Sequence, residues 1–262
     1  MKLFAPPENR IFAKTGTKML SAKLSATTQL FHNFFPPHVV TFTSDRGTDF
    51  KLTDSSALLT RAQNAFLARQ LGFRLPEILA VRQVHGKRIV VAPRNVAAKR
   101  SAALEDADGI LTDRRDLAIA VRTADCLSVF LYDPRNEAIG LLHAGWRGTQ
   151  QQISALAVTL MRKQWKSNPK DLLVAFGPAI RSCCYRVGVS FLEHFPKETV
   201  KRKQGYFFDL PEANRNQLLG AGVAAANIVD CAVCTNCDIT CFSYRRERES
   251  AGRMISVMML RK

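Results

Sequence analysis

The stretch AIGLLHAGWRGTQQ, residues 138–151, joins two elements of different periodicity. Residues 138–142 form an apolar run that is typical of a buried β-strand, and residues 149–164 have the apolar spacing of an amphipathic helix. His143 therefore stands where a strand ends and a helix begins, and the glycines on either side of the Trp-Arg pair allow the backbone to approach a neighbour closely. This strand–turn–helix stretch predicts an α/β fold with a histidine at a strand end.

Two other predicted strand ends carry residue types that bind metals. Cys126 follows the strand-like residues 117–121, and His85 follows the apolar residues 78–81. Thiolate sulfur and neutral imidazole are ligands of zinc, and a site with three protein ligands keeps one position open for water or substrate. His85, Cys126 and His143 are therefore candidate zinc ligands. The same pattern also permits hydrogen-bonded core histidines, or a nucleophilic Cys126 activated by one of the two histidines.

Length and composition indicate one globular domain. The chain has 262 residues, of which 47% are hydrophobic, so it can bury a sizeable core. Residues 1–38 are rich in Ser, Thr, Lys and Pro and show little periodicity. We therefore expect an N-terminal arm over 1–38 and a single catalytic domain over 39–262. Strand and helix patterns are interleaved along that domain, which indicates mixed sheets with flanking helices.

The sequence lacks the features of an exported or membrane-embedded protein. No apolar run approaches the roughly 20 residues that a membrane-spanning helix needs, and residues 1–9 are not followed by the apolar segment of a secretory signal. The seven cysteines are an odd number, which argues against a complete set of disulfides and for a reducing compartment. We therefore expect a cytoplasmic protein.

The formal net charge of +16 is compatible with several kinds of partner. It can attract nucleic acid or small anionic substrates, or it can simply reflect a solvated basic surface. Basic residues form only short clusters, such as 201–203, and no nucleic-acid-binding motif is present. We therefore expect no specific nucleic-acid partner and no membrane partner. Arg122, Arg147 and Arg181 are candidates for binding phosphate.

Periodicity and turn residues predict the other elements along the chain. Helices are expected at 56–72, with Asp54-Ser55 as the cap, at 149–164, near 188–195 and at 211–221. A turn is expected at 134–136 and a loop at 95–106. Strands are expected at 39–43, 78–84, 88–92, 109–112, 117–121, 128–132, 138–142, 172–176, 228–230 and 254–260.

Four cysteines near the C-terminus have a spacing found in bacterial iron–sulfur proteins. Cys231, Cys234, Cys237 and Cys241 follow the pattern C-x2-C-x2-C-x3-C. The proline that usually follows is replaced by Phe242, and there is no second run of this kind. We therefore interpret these residues as reduced, partly buried thiols rather than as ligands of an iron–sulfur cluster.

A series of short motifs, in order along the chain, carries a family resemblance. They are QVHG (83–86), ADG (107–109), RTADC (122–126), HAGWRG (143–148), GPAI (177–180) with CY (184–185), SYRR (243–246) and GR (252–253). With these motifs the chain resembles the laccase-domain family, which was named for multicopper polyphenol oxidases and is now described as purine nucleoside phosphorylases. The resemblance extends from about residue 78 to the C-terminus.

The resemblance implies a specific site and reaction. In that family the histidine of QVHG, the cysteine of TADC and the histidine of HAGWRG bind zinc, which implies catalytic zinc ligands at His85, Cys126 and His143. The implied reaction is phosphorolysis of adenosine, inosine and S-methyl-5′-thioadenosine, with adenosine deamination as a side activity. The expected partners are thus purine nucleosides and phosphate, and the expected state is a monomer or small homo-oligomer. The implied fold is an α/β sandwich related to folds that carry a Cys–His hydrolase pair.

The sequence departs from the family pattern at three places. Arg186 stands where Glu is usual, which reverses a charge near the expected pocket rim, and Ser128 replaces a common Pro. Residues 44–49, SDRGTD, stand where relatives carry a Gly-Gly-x-Ser loop. The role of Arg186 and any substrate contact by residues 44–49 are therefore open questions at this stage.

Two other enzymatic functions fit parts of the sequence. Cys126 and His143 also suit a cysteine hydrolase or amidase that edits a peptidoglycan precursor, an activity to which relatives have been linked. A laccase-like phenol oxidase needs several copper centres, and five histidines are too few for a trinuclear cluster and a blue site together. We therefore expect zinc, with copper as the alternative ion, and phosphorolysis as the reaction.

Overall fold

The computed structural model describes Phe31 and residues 33–51, 59–74, 78–92, 105–115 and 117–261. The helices are α1 (Arg61–Leu71), α2 (Trp146–Gln150), α3 (Ile153–Trp165), α4 (Phe191–His194), α5 (Leu210–Gly220) and α6 (Tyr244–Glu247), with 3-10 helices at Pro169–Asp171, Ala225–Asn227 and Arg248–Ser250. The strands are β1 (Val39–Thr43), β2 (Ile78–Ala80), β3 (Ile89–Ala92), β4 (Gly109–Thr112), β5 (Ala118–Thr123), β6 (Leu127–Asp133), β7 (Ala138–Ala144), β8 (Leu173–Phe176), β9 (Arg186–Val187), β10 (Thr199–Arg202), β11 (Gly205–Phe208), β12 (Ile228–Asp230) and β13 (Met254–Leu260).

Two mixed sheets face each other. The four-stranded sheet has the order β1-β13-β5-β2, and the six-stranded sheet has the order β12-β8-β6-β7-β4-β3. Because side chains alternate across a strand, each sheet turns one set of apolar residues inward. Val121 and Met258 from the first sheet meet Phe130 and Leu141 from the second in one core. The expected α/β sandwich of mixed sheets is confirmed.

Helices cover the outer faces of both sheets. α3 and α5 pack on the six-stranded sheet through residues such as Met161 and Leu218, and α1 packs on the four-stranded sheet through Phe66. The layers are therefore helix, sheet, sheet and helix. Phe31 and Phe35, from the end of the predicted N-terminal arm, are buried in the core between the sheets.

Two predicted helices have different bounds in the structure. The helix predicted over 56–72 occupies Arg61–Leu71, because Thr60 caps it and forms a reciprocal capping box with Gln63. The predicted cap, Asp54-Ser55, and residues 56–58 lie outside the described residues. The helix predicted over 149–164 is two helices, α2 and α3, because Gln152 between them takes a left-handed conformation (φ 64°) that interrupts a right-handed helix.

The small three-stranded sheet β10-β11-β9 was not predicted. Three of the four residues of β10 are exposed, so its sequence lacks the alternation that marks a half-buried strand. The helix predicted near 188–195 is the single turn α4, and the strand predicted over 78–84 ends at Ala80.

The remaining predicted strands, the helix at 211–221 and the turn at 134–136 agree with the structure to within two residues at each end. The loop predicted over 95–106 lies outside the described residues except at 105–106. None of the helices in the described part of the chain has the length and apolar character needed to span a membrane.

Candidate active site

The ends of three strands bring His85, Cys126 and His143 together. Cys126 lies in the turn between β5 and β6, His143 is the next-to-last residue of β7, and His85 lies in the turn between β2 and β3. Their ligand atoms all lie within 4.8 Å of one another. The two imidazole rings meet edge to face with their centroids 4.8 Å apart. The structure thus groups the three residues that the sequence singled out.

One buried carboxylate orients the His143 imidazole and holds the backbone of the His85 turn. Asp108 Oδ1 accepts hydrogen bonds from Nδ1 of His143 at 2.8 Å and from the backbone amide of His85 at 2.9 Å, and Oδ2 accepts the amide of Gly86 at 2.6 Å. Burial raises the pKa of Asp108, but the hydrogen bonds from His143 and the amides bring it below its usual value. A carboxylate behind a histidine fixes the tautomer and leaves Nε2 free to bind an ion, as in many zinc sites.

Cys126 and His143 shift each other's protonation. Burial alone raises the pKa of the Cys126 thiol, but His143 and His85 bring it down to about 6. Burial likewise lowers the pKa of His143, but the Cys126 sulfur and Asp108 raise it to about 9. The net shift favours the thiolate form of Cys126, which is the state that a metal ligand and a nucleophile both require.

The glycines of the HAGWRG motif are required by close contacts. A Cβ at Gly148 would lie 2.6 Å from the carbonyl oxygen of Gly86, and a Cβ at Gly145 would lie 3.0 Å from the Cys126 sulfur. The start of α2 can therefore approach the QVHG turn and the cysteine only without a side chain. The backbone of His85 itself is left-handed (φ 60°), a conformation that concentrates at functional sites.

Asp125 fixes the turn that carries Cys126. Its Oδ1 accepts a hydrogen bond from the Thr235 hydroxyl, and its Oδ2 accepts the backbone amide of Arg245, each at 2.6 Å. The backbone carbonyl of Asp125 accepts the amide of Ile180 at 2.9 Å. This one residue thus connects the Cys126 turn to two segments from the C-terminal half of the chain.

A cavity of about 650 Å³ is lined by the three candidate ligands together with basic and aromatic side chains. The Arg147 guanidinium lies over the Trp146 ring at 4.5 Å, and that of Arg245 lies over the Tyr185 ring at 5.3 Å. Stacking of this kind holds a cation beside a flat apolar surface. The basic lining residues are Lys51, Arg82, Arg122, Arg147, Arg245 and Arg253, and the aromatic ones are Trp146, Tyr185 and Tyr244.

Two of the three arginines singled out in the sequence line this cavity. Arg147 does so from α2, and Arg122 does so from β5, where its Nε donates to the carbonyl of Phe50 at 2.9 Å. Arg181 is not a lining residue. Its guanidinium makes paired hydrogen bonds to Asp230 at 2.6 and 2.5 Å, so its planar donor face already binds a carboxylate.

Sequence reasoning missed several residues at this site. Tyr185, Arg245 and Arg253 belong to the CY, SYRR and GR motifs and line the cavity. Asp108, in the ADG motif, supports the histidines. The available signal was the place of these residues in short motifs, but a motif does not show which distant segments meet in space.

Two departures from the family pattern, Arg186 and residues 44–49, lie outside the cavity lining. Arg186 is exposed on β9. None of residues 44–49 lines the cavity, but Asp49 Oδ1 accepts the backbone amides of Lys51 and Arg253, which do. Through Asp49, residues 44–49 therefore support the cavity wall without lining the cavity themselves.

The run of cysteines from 231 to 241 does not form one group. Two of its members, Cys231 and Cys241, pack in a small apolar cluster. The other two join the pair at 183–184, and the sulfurs of these four residues lie within 4.8 Å of one another: Cys183, Cys184, Cys234 and Cys237. The regular spacing therefore does not correspond to a shared ligand set.

Named relatives cover most of the chain. It is 37% identical over 204 residues to "Purine nucleoside phosphorylase YlmD" of Geobacillus stearothermophilus, which covers 72% of this chain and 74% of the relative. It is 36% identical over 201 residues to "Adenosine deaminase RL5" from an unknown prokaryotic organism, which covers 71% of this chain and 76% of the relative.

Solved structures share the fold. The crystal structure of YlmD from Geobacillus stearothermophilus aligns with a TM-score of 0.74 and 30% identity, over 86% of this chain and 93% of that one. The Bacillus licheniformis hypothetical protein YfiH aligns with a TM-score of 0.75 and 29% identity, over 86% and 94%. A family model described as "Multi-copper polyphenol oxidoreductase laccase" matches residues 47–261. The chain therefore belongs to the multi-copper polyphenol oxidoreductase laccase family.

Proposed function

We propose that the protein is a zinc-dependent purine nucleoside phosphorylase. It cleaves adenosine, inosine and S-methyl-5′-thioadenosine with phosphate to the free base and the corresponding ribose 1-phosphate, and it deaminates adenosine as a side activity. The observation that carries the proposal is that one cavity is lined both by three candidate metal ligands and by basic and aromatic side chains. The names of two relatives, a purine nucleoside phosphorylase and an adenosine deaminase, support the same pair of reactions.

The donor set fits a catalytic zinc ion. Two imidazoles and one thiolate, from His85, His143 and Cys126, make a three-ligand group, and Asp108 orients the His143 ring and holds the His85 backbone. Catalytic zinc sites have three protein ligands and one further position for water or substrate. When bound, zinc supplies Lewis acidity, which polarises an atom of the base or lowers the pKa of a water molecule. A multicopper oxidase needs more imidazoles than the five histidines of this chain supply.

The basic lining residues suit phosphate. Guanidinium groups bind phosphate oxygens through parallel N–H donors. Arg147 and Arg245 stack on Trp146 and Tyr185, so their donors are held in place before the anion arrives. Less side-chain entropy is then lost on binding. These residues would hold phosphate for attack on C1′ of the ribose as the base departs.

The rest of the cavity suits a nucleoside. Its volume of about 650 Å³ lies within the range of roughly 300–1,000 Å³ that is usual for small-ligand sites. Trp146, Tyr185 and Tyr244 add aromatic surface to the cavity lining that the base and ribose can contact. Burial raises the pKa of Tyr185 above its usual value, so its phenol stays protonated and can donate a hydrogen bond to the substrate.

The site also limits where the protein works. Cys126 must remain a reduced thiolate to bind zinc. The proposed reaction therefore requires a reducing compartment, and we place the enzyme in the cytoplasm.

Product analysis on inosine tests the proposal. With phosphate present, the purified protein should give hypoxanthine and ribose 1-phosphate in equal amounts, and without phosphate it should give neither. Adenosine deamination should continue without phosphate, because it consumes only water. Free ribose at every phosphate concentration would show that the enzyme is a hydrolase.

Arg147→Ala tests the anion site. A hydrogen bond to a charged group contributes about 1.5–3 kcal/mol, so the KM for phosphate should rise about 10- to 100-fold. Zinc content should stay the same. The matched control is Arg135→Ala, which removes an exposed arginine that pairs with Asp171 outside the cavity. Equal phosphate KM values for the two variants would show that Arg147 does not bind phosphate.

A cysteine hydrolase or amidase is the second candidate, and one observation favours it. The Cys126 thiolate beside a His143 of raised pKa is the arrangement of an activated thiol nucleophile. Such an enzyme would survive removal of zinc and would be inactivated by alkylation of Cys126, whereas the phosphorylase loses activity with its metal. Assays of chelated protein on inosine and on a peptidoglycan-precursor amide separate the two functions.

A further inference from the structure

Four cysteines outside the cavity lining form a second compact group. Cys183 and Cys184 lie in the turn before β9, and Cys234 and Cys237 lie in the turn after β12. The sulfur of Cys183 is 3.5 Å from that of Cys234 and 3.7 Å from that of Cys237. The sulfurs of Cys184 and Cys237 are 3.3 Å apart. We call these residues the four-cysteine group.

The separations between these sulfurs match ligands of a single ion. With Zn–S distances of about 2.3 Å, a tetrahedral site places its sulfurs about 3.8 Å apart. The close pairs here, at 3.3–3.7 Å, are near this value, and all four sulfurs lie within 4.8 Å of one another. In an iron–sulfur cluster the four thiolates are shared among two or more irons and spread further apart. A tetrahedral set of four sulfurs around one centre is typical of structural zinc.

The backbone holds the two cysteine pairs in place. Ala179, in the segment before the first pair, forms a parallel bridge with Cys234. The amide of Cys237 donates to the carbonyl of Cys234 at 3.2 Å and closes a tight turn. The amide of Asp238 donates to the same carbonyl at 2.9 Å, and the amide of Thr235 donates to the carbonyl of Ala179 at 3.1 Å. These backbone hydrogen bonds fix the turns that carry the cysteines.

We propose that the four-cysteine group binds one zinc ion in a closed structural site, separate from the candidate catalytic site. Four thiolates complete a tetrahedral coordination sphere and leave no position for substrate. The ion joins segment 178–185 to segment 231–246. Tyr185 of the first segment and Arg245 of the second stack on each other and line the cavity. The role of the ion is therefore to fix one wall of the cavity.

Zinc analysis of Cys126→Ala tests this proposal. The substitution removes a ligand of the candidate catalytic site and keeps the whole four-cysteine group. After purification with a thiol reductant and without chelator, from zinc-supplemented cells, Cys126→Ala should hold about one zinc ion per chain. This result does not depend on whether the cavity binds a metal. Absence of zinc from this variant, or iron in its place, would overturn the proposal.

Two double variants in the Cys126→Ala background identify the ligands. Cys183→Ser/Cys184→Ser should lose the remaining zinc. Cys231→Ser/Cys241→Ser is the matched control, because it alters the iron–sulfur-like run outside the four-cysteine group and should keep the ion. Loss of zinc from the control with retention in the first variant would overturn the assignment.

A measurement on Cys126→Ala itself covers the case in which a ligand variant fails to fold. Cys183 and Cys237 are exposed, so an alkylating reagent can reach both sulfurs when no ion is bound. Bound to zinc they should resist alkylation until a chelator is added, and cobalt substitution should produce strong thiolate-to-metal absorption. Rapid alkylation of both residues without chelator, or disulfides within the group in reductant-treated protein, would contradict the proposal.

Discussion

The two groups of candidate metal ligands are built from different parts of the fold. His85, Cys126 and His143 lie at or just beyond strand ends of the two packed sheets, whereas the four-cysteine group lies on two turns next to the small third sheet. The first group offers three ligands and faces the cavity, and the second offers four and is not part of the cavity lining. The number of ligands and the place of the group together distinguish a chemical site from a structural one.

The supports of the two groups differ as well. The carboxylates of Asp108 and Asp125 hold the first group. Backbone amides hold the second, and Arg246 fixes its turn by donating to the carbonyls of Asn236 and Cys241 at 3.0 and 2.5 Å. The first group thus depends on two carboxylates, and the second depends on backbone hydrogen bonds and on the guanidinium of Arg246.

His85→Asn should have the largest effect and should act on one group alone. Asn tolerates the left-handed backbone at this position, but it removes the imidazole. Because a bound metal supplies several kcal/mol of charge stabilisation, we expect inosine cleavage to fall by at least about 10³-fold. Zinc in the four-cysteine group should remain. Turnover and zinc content, measured on one preparation, check the loss of activity and the retention of zinc. Full turnover would mean that His85 is not needed for the reaction and would contradict the distinction between the two groups.

Asp108→Asn should have the next largest effect. The change removes the negative charge behind His143 and disturbs the turn at His85. Loss of such a support usually costs about 10- to 100-fold in metal affinity or activity. A zinc titration read out by kcat should show this, with Asp171→Asn as the control, since Asp171 pairs with Arg135 outside the cavity. Equal zinc affinity for both variants would argue against the role of Asp108.

Gly148→Ala should weaken the first group through packing. The added methyl meets the carbonyl oxygen of Gly86, and overpacking of this kind costs about 1–3 kcal/mol. Gly220→Ala is the control, because no atom lies within 4 Å of its added methyl and it sits in α5. It should be neutral or stabilise by up to about 1 kcal/mol. Denaturant unfolding gives both values, and equal stability of the two variants would contradict the close approach.

Arg186→Glu should have the smallest effect. Arg186 is exposed on β9 and does not line the cavity, although it follows the first cysteine pair closely. Exposed substitutions usually change stability by less than about 0.5 kcal/mol, and we expect turnover to stay within about twofold. Steady-state kinetics and zinc content check this. A large change in either would mean that the charge at this position acts on one of the two groups.

The sequence predicted the centre of the molecule better than its edge. β6 and β7 are long apolar runs between turn residues, so both the strands and the position of His143 could be located. The outer β10 has mostly exposed side chains and gave no such signal. The functional roles of His85, Cys126 and His143 stay predictions until the metal is measured.

The four-cysteine group could not be predicted because its ligands come from distant turns. Cys183 and Cys234 are 51 residues apart in the chain, and tertiary contacts such as the pairing of Ala179 with Cys234 bring their segments together. The regular spacing from 231 to 241 instead suggested partners that lie apart in the fold. Local spacing identifies a ligand set only when one stretch of chain supplies all of it. Arg181 shows the same limit, since its partner Asp230 is equally remote.

The carboxylate of Asp125 connects the two groups structurally. It precedes Cys126 directly, and it accepts the hydroxyl of Thr235, which lies between Cys234 and Cys237. Oxidation or metal loss that disorders the Thr235 turn would release this hydrogen bond and, with it, the backbone that aims the Cys126 sulfur. Since such linkage is reciprocal, a ligand that orders the cavity would also strengthen metal retention at the surface. A change in the redox state of the surroundings would thus reach the candidate active site through the hydrogen bond between Thr235 and Asp125.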